Sequence, residues 1–474
     1  MRTLYNFRQR LSEYQQQSGV KLLAQVLEGI TDQQLVAFEV RSGLQRMDST
    51  QIASNILDMS RLQLLVEGVQ RLYRISSPAE QERLGERFAP YLAGSSGQYV
   101  YRIKGQAATA EHIRQVGQAL YDLLHELEAA YAQQPVYQVV QRSFAEHFRV
   151  EEGRTAPAQK VEAKSNEELS AGSLQSLDDL EATFRRKGKE EYKGYVANVT
   201  ETCDPQNPLQ PITKVQVAAN NRDDAALLQE ALPDLEERTA VETLYTDGAF
   251  GSPAADQELA RQHVAQIQTG LRGKAPDPER FSLADFGIEQ AEDGVPTALT
   301  CPAGQRTAVE AGRTTGFVAH FDPQQCQACP FHQSGRCRAQ PQKRDARFVL
   351  DFTQREVHWA RRRQRYLVNQ QADKNLRVAI EATVRSLEHP FGDKLPVRGL
   401  FRVTCVLLGS AAMVNVRRIW RYLSAQAAKQ GSPGAATRRN VSSQQPKASC
   451  FVFSQAWLSS CSRFLAFRNL CFSC

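Results

Sequence analysis

The sequence predicts an α/β protein built on a mixed sheet with large helical additions. Strand-like patterns alternate with helix-like patterns along the 474 residues, in the order expected for one mixed sheet with crossover helices. Hydrophobic residues make up 42% and charged residues 23% of the chain. This composition is typical of globular proteins and excludes wholesale disorder, collagen and coiled coil.

The chain begins with a predicted helical region, residues 1–40. Its apolar side chains recur at steps of three and four residues, as on one face of a helix: Leu4, Phe7, Leu11 and Tyr14. Toward the end of this region, Leu35–Val40 has the pattern of a short strand.

Residues 41–60 and 185–265 are predicted to form the first part of the sheet core. The segment LQRMDSTQI, around Asp48, alternates apolar and polar side chains as a strand does. A hairpin follows, with GYVANVTETC and ITKVQVAANN as its arms and PQNP as its turn. A short helix over Asp223–Leu232 then leads to a strand, ETLYTDGAF, in which Asp247 is the candidate site residue.

Four further regions complete the predicted organisation. Residues 61–170 are a helical insertion that ends in a linker poor in large apolar groups. Residues 266–350 are a loop-rich, cysteine-containing insert, and residues 351–428 are the helical end of the core. Residues 429–474 are rich in Ser, Cys and Phe and contain no acidic residue, so we expect an unstructured basic tail.

No membrane span is expected. The longest apolar stretch, Val403–Val416, has 14 residues and is interrupted by Gly409, Ser410 and Asn415, whereas a spanning helix needs about 20. The N-terminus has no apolar signal core. Ten cysteines in a chain of this length do not indicate a disulfide scaffold. The sequence therefore predicts a cytoplasmic protein.

The net charge of +6 conceals a strong asymmetry. Residues 336–377 carry a net charge of +8 and residues 394–474 carry +12, which leaves −14 for the rest of the chain. Solvated helix faces are one interpretation of these basic runs. The other, which we favour, is a surface that binds an anionic polymer, and nucleic acid is the commonest such partner.

Three acidic residues are candidate metal ligands: Asp48 in RMDSTQI, Asp247 in TLYTDGAFGS, and Glu381, four residues after Arg377. Each has a structural alternative, a turn cap for either aspartate and a surface ion pair with Arg377 for Glu381. We expect Asp48 at the end of its strand and Glu381 on a largely buried helix. Together the three carboxylates are the oxygen ligands that Mg²⁺ prefers, and two such ions promote phosphodiester cleavage.

Four cysteines share the insert: Cys301, Cys326, Cys329 and Cys337. Their spacing, C-x24-C-x2-C-x7-C, indicates a structural zinc site, because four thiolates complete a tetrahedron. Reduced thiols that bind no metal are the alternative. His320 and His332 are possible substitutes for one of the ligands.

Several segments have a joint order that is specific to a known family. They are RTLYNFRQRL, LQRMDSTQIASNI, LQSLDDLEATFRRKG, YKGYVANVTETCD, ITKVQVAANNRDD, TLYTDGAFGSP, the CPAGQ…CQACP…C segment, and AIEATVRSLEHPF with KLPVRGLFRV. In this order the chain resembles bacterial insertion-sequence transposases of the DDE class, which are cut-and-paste enzymes with an RNase H-like catalytic core.

The resemblance implies that Asp48, Asp247 and Glu381 are the catalytic triad, with Mg²⁺ or Mn²⁺ as cofactor. Glu201 and Asp204, at the end of the second strand of the core, are alternatives for the first acid. The residues expected to contact DNA lie in the first basic segment or just after it: Arg361, Arg362, Arg363, Lys374, Arg377 and Arg385.

The chain departs from the family signature at two positions near the third acid. Arg377 matches the arginine that often precedes this acid by four residues. Lys374 stands where related transposases have a tyrosine, and Glu388 stands where a lysine often follows. These departures concern the contacts with the DNA ends rather than the triad.

The implied function is that of a DNA transposase. Such an enzyme cuts at the terminal inverted repeats of an insertion sequence and joins the freed 3′-hydroxyl ends to target DNA, as a homodimer on DNA in the bacterial nucleoid. An inactive relic that only binds DNA, and an RNase H-like nuclease without strand transfer, are the alternatives. The family usually has a longer N-terminal helical region, so a shortened start is expected. The acid-free composition of residues 429–474 leads us to expect a frameshifted or read-through tail.

Overall fold

A computed structural model of the chain describes residues 2–151, 160–273, 275–291, 294–312, 316–342, 347–371 and 376–430. Two compact units divide the chain, Met1–Tyr422 and Leu423–Cys474. Of the second unit the structure describes only the helical residues up to Gln430. The predicted unstructured tail lies almost entirely outside the described residues.

The described residues form helices and strands in mixed order. The helices are α1 Arg2–Ser18, α2 Leu22–Ala37, α3 Arg61–Ile75, α4 Pro78–Leu92, α5 Ser96–Tyr101, α6 Gln106–Tyr131, α7 Pro135–His147, α8 Asp224–Thr239, α9 Pro253–Arg261, α10 Pro323–Gln327, α11 Pro330–Gln333, α12 Gln354–Gln371, α13 Ile380–Glu388 and α14 Leu400–Gln430. The strands are β1 Leu44–Ala53, β2 Phe148–Glu151, β3 Lys160–Ala163, β4 Thr183–Lys187, β5 Glu190–Thr202, β6 Ile212–Ala219, β7 Thr243–Thr246, β8 Ala265–Gln268, β9 Gly287–Gln290, β10 Pro296–Thr300, β11 Arg306–Ala311, β12 Phe317–Phe321, β13 Gln340–Pro341 and β14 Phe348–Phe352.

The central sheet has six strands in the order β4-β5-β1-β7-β8, with β6 paired to β5. Strand β5 is antiparallel to β1, β4 and β6, whereas β7 is parallel to both β1 and β8. The predicted hairpin is therefore found as β5 and β6, and the predicted strand before Asp247 is found as β7. This mixed α/β architecture is consistent with the RNase H-like core that the resemblance implied.

Each face of the central sheet packs against helices. One face packs on α8 and α9 through a core that includes Met47, Leu228 and Leu244. The other face packs on α13 and α14 through a core that includes Ile52 and Leu407. Because successive strand residues point to opposite faces, the even-numbered residues of β1 face α13 and α14.

A separate helical core forms between β1 and β4 in sequence. Helices α3 to α7 and the β2–β3 hairpin bury an apolar cluster of their own, in which Leu120, Leu123 and Phe144 take part. The helical character predicted for this part of the chain is thus found. The predicted linker lies partly at β2 and β3, which pair as an antiparallel hairpin.

The cysteine-containing insert is not loop-rich as predicted. Strands β9 to β14 form a second, antiparallel sheet in the order β13-β14-β12-β11-β10-β9. Its strands have two to six residues, too short for a clear alternation, and β11 is exposed or half-exposed along its length. The sequence pattern was weak for that reason. Helix α12 completes this core with Val357 and Ala360.

One other expectation needs correction. The strand predicted at Leu35–Val40 is wrong, because α2 continues to Ala37.

One helix of the described residues, Leu400–Lys429, is long and apolar enough to cross a membrane by length and composition. Its residues Val403 and Leu407 are fully buried against the central sheet, as expected for a core helix of a folded protein.

Candidate active site

Strand β1 presents three polar side chains toward α13. Arg46, Asp48 and Thr50 alternate along the strand, so they share one face. Asp48 lies in the middle of β1, which continues to Ala53. The prediction that Asp48 ends its strand is therefore wrong, although the strand itself is found. The antiparallel pairing with β5 continues along β1 past Asp48 and keeps this residue inside the sheet.

Asp48 is buried and paired with a cation. Arg377 Nη2 donates to Asp48 Oδ2 at 2.8 Å, and the Ser49 amide donates to Asp48 Oδ1 at 2.9 Å. Burial raises the pKa of Asp48, while Arg377 and the Ser49 amide lower it and the charge of Asp247 raises it again. The influence of Asp247 on this pKa indicates that the two aspartates are electrostatic neighbours.

Asp247 lies immediately after β7, where the chain turns. Its Oδ1 accepts a hydrogen bond of 2.8 Å from the Ala249 amide, which caps a short 3₁₀ turn. A Cβ added at Gly248 would lie 2.9 Å from backbone atoms of Gly270. Glycine is therefore required here by close backbone contact. The turn-cap alternative for Asp247 is therefore realised.

Glu381 lies in the first turn of α13, on its exposed side. The helix buries Ile380, Thr383, Val384 and Leu387, and the Glu381 side chain is 51% exposed. The expectation of a largely buried helix around Glu381 is wrong, because its apolar neighbours do not all lie on the buried stripe. Arg377 Nη1 lies 4.0 Å from Glu381 Oε1, so the predicted Arg377–Glu381 pair is present.

Arg377 thus contacts two of the three candidate acids, and the third acts on the same buried carboxylate. The carboxylate chemistry fits Mg²⁺, and the mutual repulsion of Asp48 and Asp247 is what a cation would relieve. Among the described residues, however, no group of three or more His, Cys, Asp or Glu side chains has the geometry to hold a metal ion. Two of the three acids contact one arginine, and the three are not a closed ligand set.

The candidate DNA-binding residues have different surroundings. Arg385 and Arg361 are exposed. Arg362 Nη2 pairs with Asp256 at 2.6 Å, and Arg363 lies over the Trp359 ring at 5.7 Å. Lys374 lies outside the described residues. We therefore find Arg361 and Arg385 accessible, and Arg362 engaged with an acid.

The four cysteines of the insert converge. Cys301, Cys326, Cys329 and Cys337 line one cavity of about 290 Å³ together with His332. Burial and, to a lesser extent, the charges of the other three thiols raise the pKa of Cys326 to about 11. His320 does not line this cavity. The convergence agrees with the prediction, but the described residues contain no group with metal-binding geometry.

Sequence reasoning missed the polar contacts that join α13 to the sheet. Thr50 Oγ1 donates to Glu388 Oε1 at 2.6 Å, and Arg46 Nη1 donates to the Leu376 carbonyl at 2.9 Å. Polar residues two positions either side of Asp48 were the available signal. Glu388, which departs from the family signature, has a structural contact here.

The alternatives proposed for the first acid are occupied elsewhere. Glu201 has no exposed surface and pairs with Arg46 and Arg418. Asp204 Oδ1 accepts a hydrogen bond from the Gln206 amide, and Asp204 lies 3.9 Å from Arg41. Asp48 is the better candidate, because Arg377 and the charge of Asp247 both act on it.

Residues 300–420 match the family described as "Transposase DDE domain", and this match supports a DDE-class transposase. It includes the four cysteines, Arg377 and Glu381, whereas Asp48 and Asp247 lie outside it. Searches of curated proteins and of solved structures found no match.

Proposed function

From the premise that the chain carries a transposase DDE domain at residues 300–420, we propose that it is a cut-and-paste DNA transposase. It cuts at the terminal inverted repeats of a bacterial insertion sequence and joins the 3′-hydroxyl ends to target DNA. It works in the cytoplasm, at the nucleoid, as a homodimer that holds two DNA ends.

One observation carries this proposal. Arg377 contacts both Asp48 and Glu381, and Asp247 lies close enough to raise the pKa of Asp48. The three acids are separated by 198 and 133 intervening residues, yet two of them contact one arginine and the charge of the other acts on Asp48. Such an arrangement of separated acids beside a basic helix is what a phosphodiester-cutting site requires.

Asp48, Asp247 and Glu381 would hold the divalent cation. The metal, when bound, supplies an activated nucleophile and stabilises the leaving oxygen. Asp48 contributes a carboxylate fixed inside the sheet, and Glu381 contributes one on a helix surface open to DNA. Arg377, after giving up Asp48, is placed to bind a DNA phosphate.

The DNA surface proposed here includes the exposed arginines of α12 and α13. Arg361 and Arg385 supply positive charge on the two helices that precede and carry Glu381. Contacts of this kind bind the phosphate backbone irrespective of sequence. The net charge of +8 over residues 336–377 supports this assignment.

The first test is a cleavage assay with DNA that carries the ends flanking this gene, in Mg²⁺ or Mn²⁺. We expect nicking at the repeats, and a loss of about a hundredfold or more in Asp247→Asn, because a metal ligand contributes several kcal/mol to the transition state. Asp122→Asn is the matched control, since Asp122 pairs with Arg87 in the helical region.

The outcomes separate the proposed function from its alternatives. Equal DNA binding by wild type and Asp247→Asn, with no cleavage by either, would indicate a relic that only binds DNA. Cleavage without joining of the 3′-hydroxyl to target DNA would indicate a nuclease. Metal-dependent nicking and joining that Asp247→Asn abolishes supports the transposase.

A structural zinc in the cysteine-lined cavity stays a prediction. Its support is the convergence of Cys301, Cys326, Cys329 and Cys337 on one cavity. We expect about one zinc per chain by elemental analysis of protein purified without chelator, and its absence from Cys326→Ser. A metal-free protein in which all four of these cysteines react as free thiols would establish the alternative of reduced cysteines.

A further inference from the structure

A buried carboxylate behind the candidate site joins the elements that carry its acids. Glu201 lies on β5, directly opposite Arg46 of β1 in the antiparallel pairing. Its side chain has no exposed surface. A buried carboxylate is costly unless it is paired and hydrogen-bonded, so the partners of Glu201 indicate what it is for.

Both oxygens of Glu201 are engaged. Arg46 Nε and Nη2 each lie 2.7 Å from Oε1. Arg418 Nη1 lies 2.6 Å from Oε2, and Thr383 Oγ1 donates to the same oxygen at 2.7 Å. Arg418 also donates to Thr383 Oγ1 and to the Gln210 carbonyl. Two guanidinium groups and a hydroxyl thus converge on one carboxylate.

These partners reach the chain on both sides of Arg377 and Glu381. Arg46 Nη1 donates to the Leu376 carbonyl at 2.9 Å, just before Arg377. Thr383 is two residues after Glu381 on α13. The Glu201 carboxylate therefore fixes the segment that carries Arg377 and Glu381 at two points, one before both residues and one after both.

We propose that Glu201 is a positioning residue for the reaction proposed above, on which this inference rests. Through Arg46 and Thr383, it sets where Arg377 and Glu381 lie relative to Asp48, without touching DNA or the metal. Arg46 and Asp48 are two residues apart on the same face of β1, so the anchor and the first acid belong to one rigid strand.

The proposal explains why the Glu201 carboxylate is buried, although the stability of the fold does not require a charged residue there. Apolar residues of similar volume are often as stabilising as a buried ion pair. What such residues would not supply is the directional contact with Leu376 and Thr383. Misplacement of a reacting group by about 1 Å from a remote change can cost about a hundredfold in rate.

The test compares Glu201→Gln and Thr383→Val with the full-length wild type. Glu201→Gln keeps the shape but removes the charge, and Thr383→Val removes one donor. Glu67→Gln is the matched control, because Glu67 also pairs with two arginines, Arg71 and Arg74, within the helical region.

Two measurements are made on each protein. We expect Glu201→Gln to lower kcat for metal-dependent nicking by about 10- to 100-fold, with KM for DNA changed less than about threefold. We expect Thr383→Val to lower kcat by a smaller factor. Hydrogen exchange of the backbone amides in residues 376–388 should be faster in both variants. Glu67→Gln should change neither quantity.

Wild-type kcat in Glu201→Gln, or unchanged exchange at 376–388, would overturn the proposal. If the wild type does not cut DNA, the proposed function fails, and the exchange measurement still decides whether Glu201 positions this segment. If Glu201→Gln does not fold, the same two measurements on Thr383→Val decide the matter.

Discussion

Asp48 depends on neighbours that act on its charge in opposite directions. Burial and Asp247 favour the protonated carboxyl, whereas Arg377 and the Ser49 amide favour the carboxylate. The Arg377 contact therefore does what a metal cation would do for the same oxygen. A cation bound at this oxygen would compete with Arg377 for Asp48, so metal binding and movement of Arg377 would be linked.

His147 provides a residue-scale prediction of stability. It is 4% exposed, and neither ring nitrogen has a hydrogen-bond partner among the described residues. Burial and, to a lesser extent, the charges of Arg61 and Lys164 lower its pKa to about 4. The ring is neutral in the fold, whereas the unfolded chain takes up a proton below about pH 6.5.

His147 should therefore destabilise the protein as the pH falls. Its effect is absent above about pH 6.5, grows by up to about 1.4 kcal/mol per pH unit and levels off near pH 4. Urea midpoints between pH 7.5 and 4.5 should fall less steeply in His147→Leu than in wild type. His125→Gln, at an exposed histidine, is the control. Parallel curves for wild type and His147→Leu would contradict this.

At the scale of elements, α13 shows what the sequence allowed and what it did not. The acid pattern and the Arg377–Glu381 spacing were visible in the sequence. Burial was misjudged, because Val378 precedes the helix and Ala382 lies off the stripe formed by Ile380, Thr383 and Leu387. Which side of α13 Glu381 lies on becomes clear only when the helix is known to begin at Ile380, and the sequence does not show where the helix begins.

The residues of the candidate site were easier to predict from the sequence than the residues that hold them in place. Asp48 stands out because it lies within a strand-like pattern, and Asp247 because it follows one. Glu201 and Arg418 could not be connected from sequence, since 216 residues separate them and charged pairs leave no periodic signal. The second sheet was missed because its strands are short and several are half-exposed.

Helix α6 offers a packing prediction. A Cβ added at Gly117 would lie 2.4 Å from Phe148 Cε1. We expect Gly117→Ala to destabilise the protein by about 1–3 kcal/mol through overpacking. In Gly29→Ala, where no atom lies within 4 Å, we expect a gain of about 0.5–1 kcal/mol. Thermal melting measures both, and equal shifts would contradict the close contact.

At the scale of the whole molecule, charge asymmetry predicts how DNA affinity depends on salt. Neutralising two accessible cations, in Arg361→Gln with Arg385→Gln, should lower the slope of log K against log salt by about 0.9 for each phosphate that the variant no longer neutralises. The control is Arg83→Gln with Arg114→Gln, which removes the same charge from the helical region. Fluorescence anisotropy at several salt concentrations measures the slope.

An unchanged slope in Arg361→Gln with Arg385→Gln would place the phosphate contacts elsewhere on the protein. Equal decreases in both double variants would indicate that net charge, not a local surface, determines affinity. A decrease confined to the first pair supports the surface on α12 and α13.

The contact between Glu201 on β5 and Arg418 on α14 also determines when, during translation, the site can form. The first acid leaves the ribosome 370 residues before Arg418, which is roughly 20–75 s at common rates of translation. Until Arg418 is made, Glu201 lacks one of its two arginines, and α14 cannot cover the sheet. An unfinished chain therefore carries Asp48 and Asp247 without an assembled centre, and the DNA cutting proposed above would have to wait until Arg418 has been made.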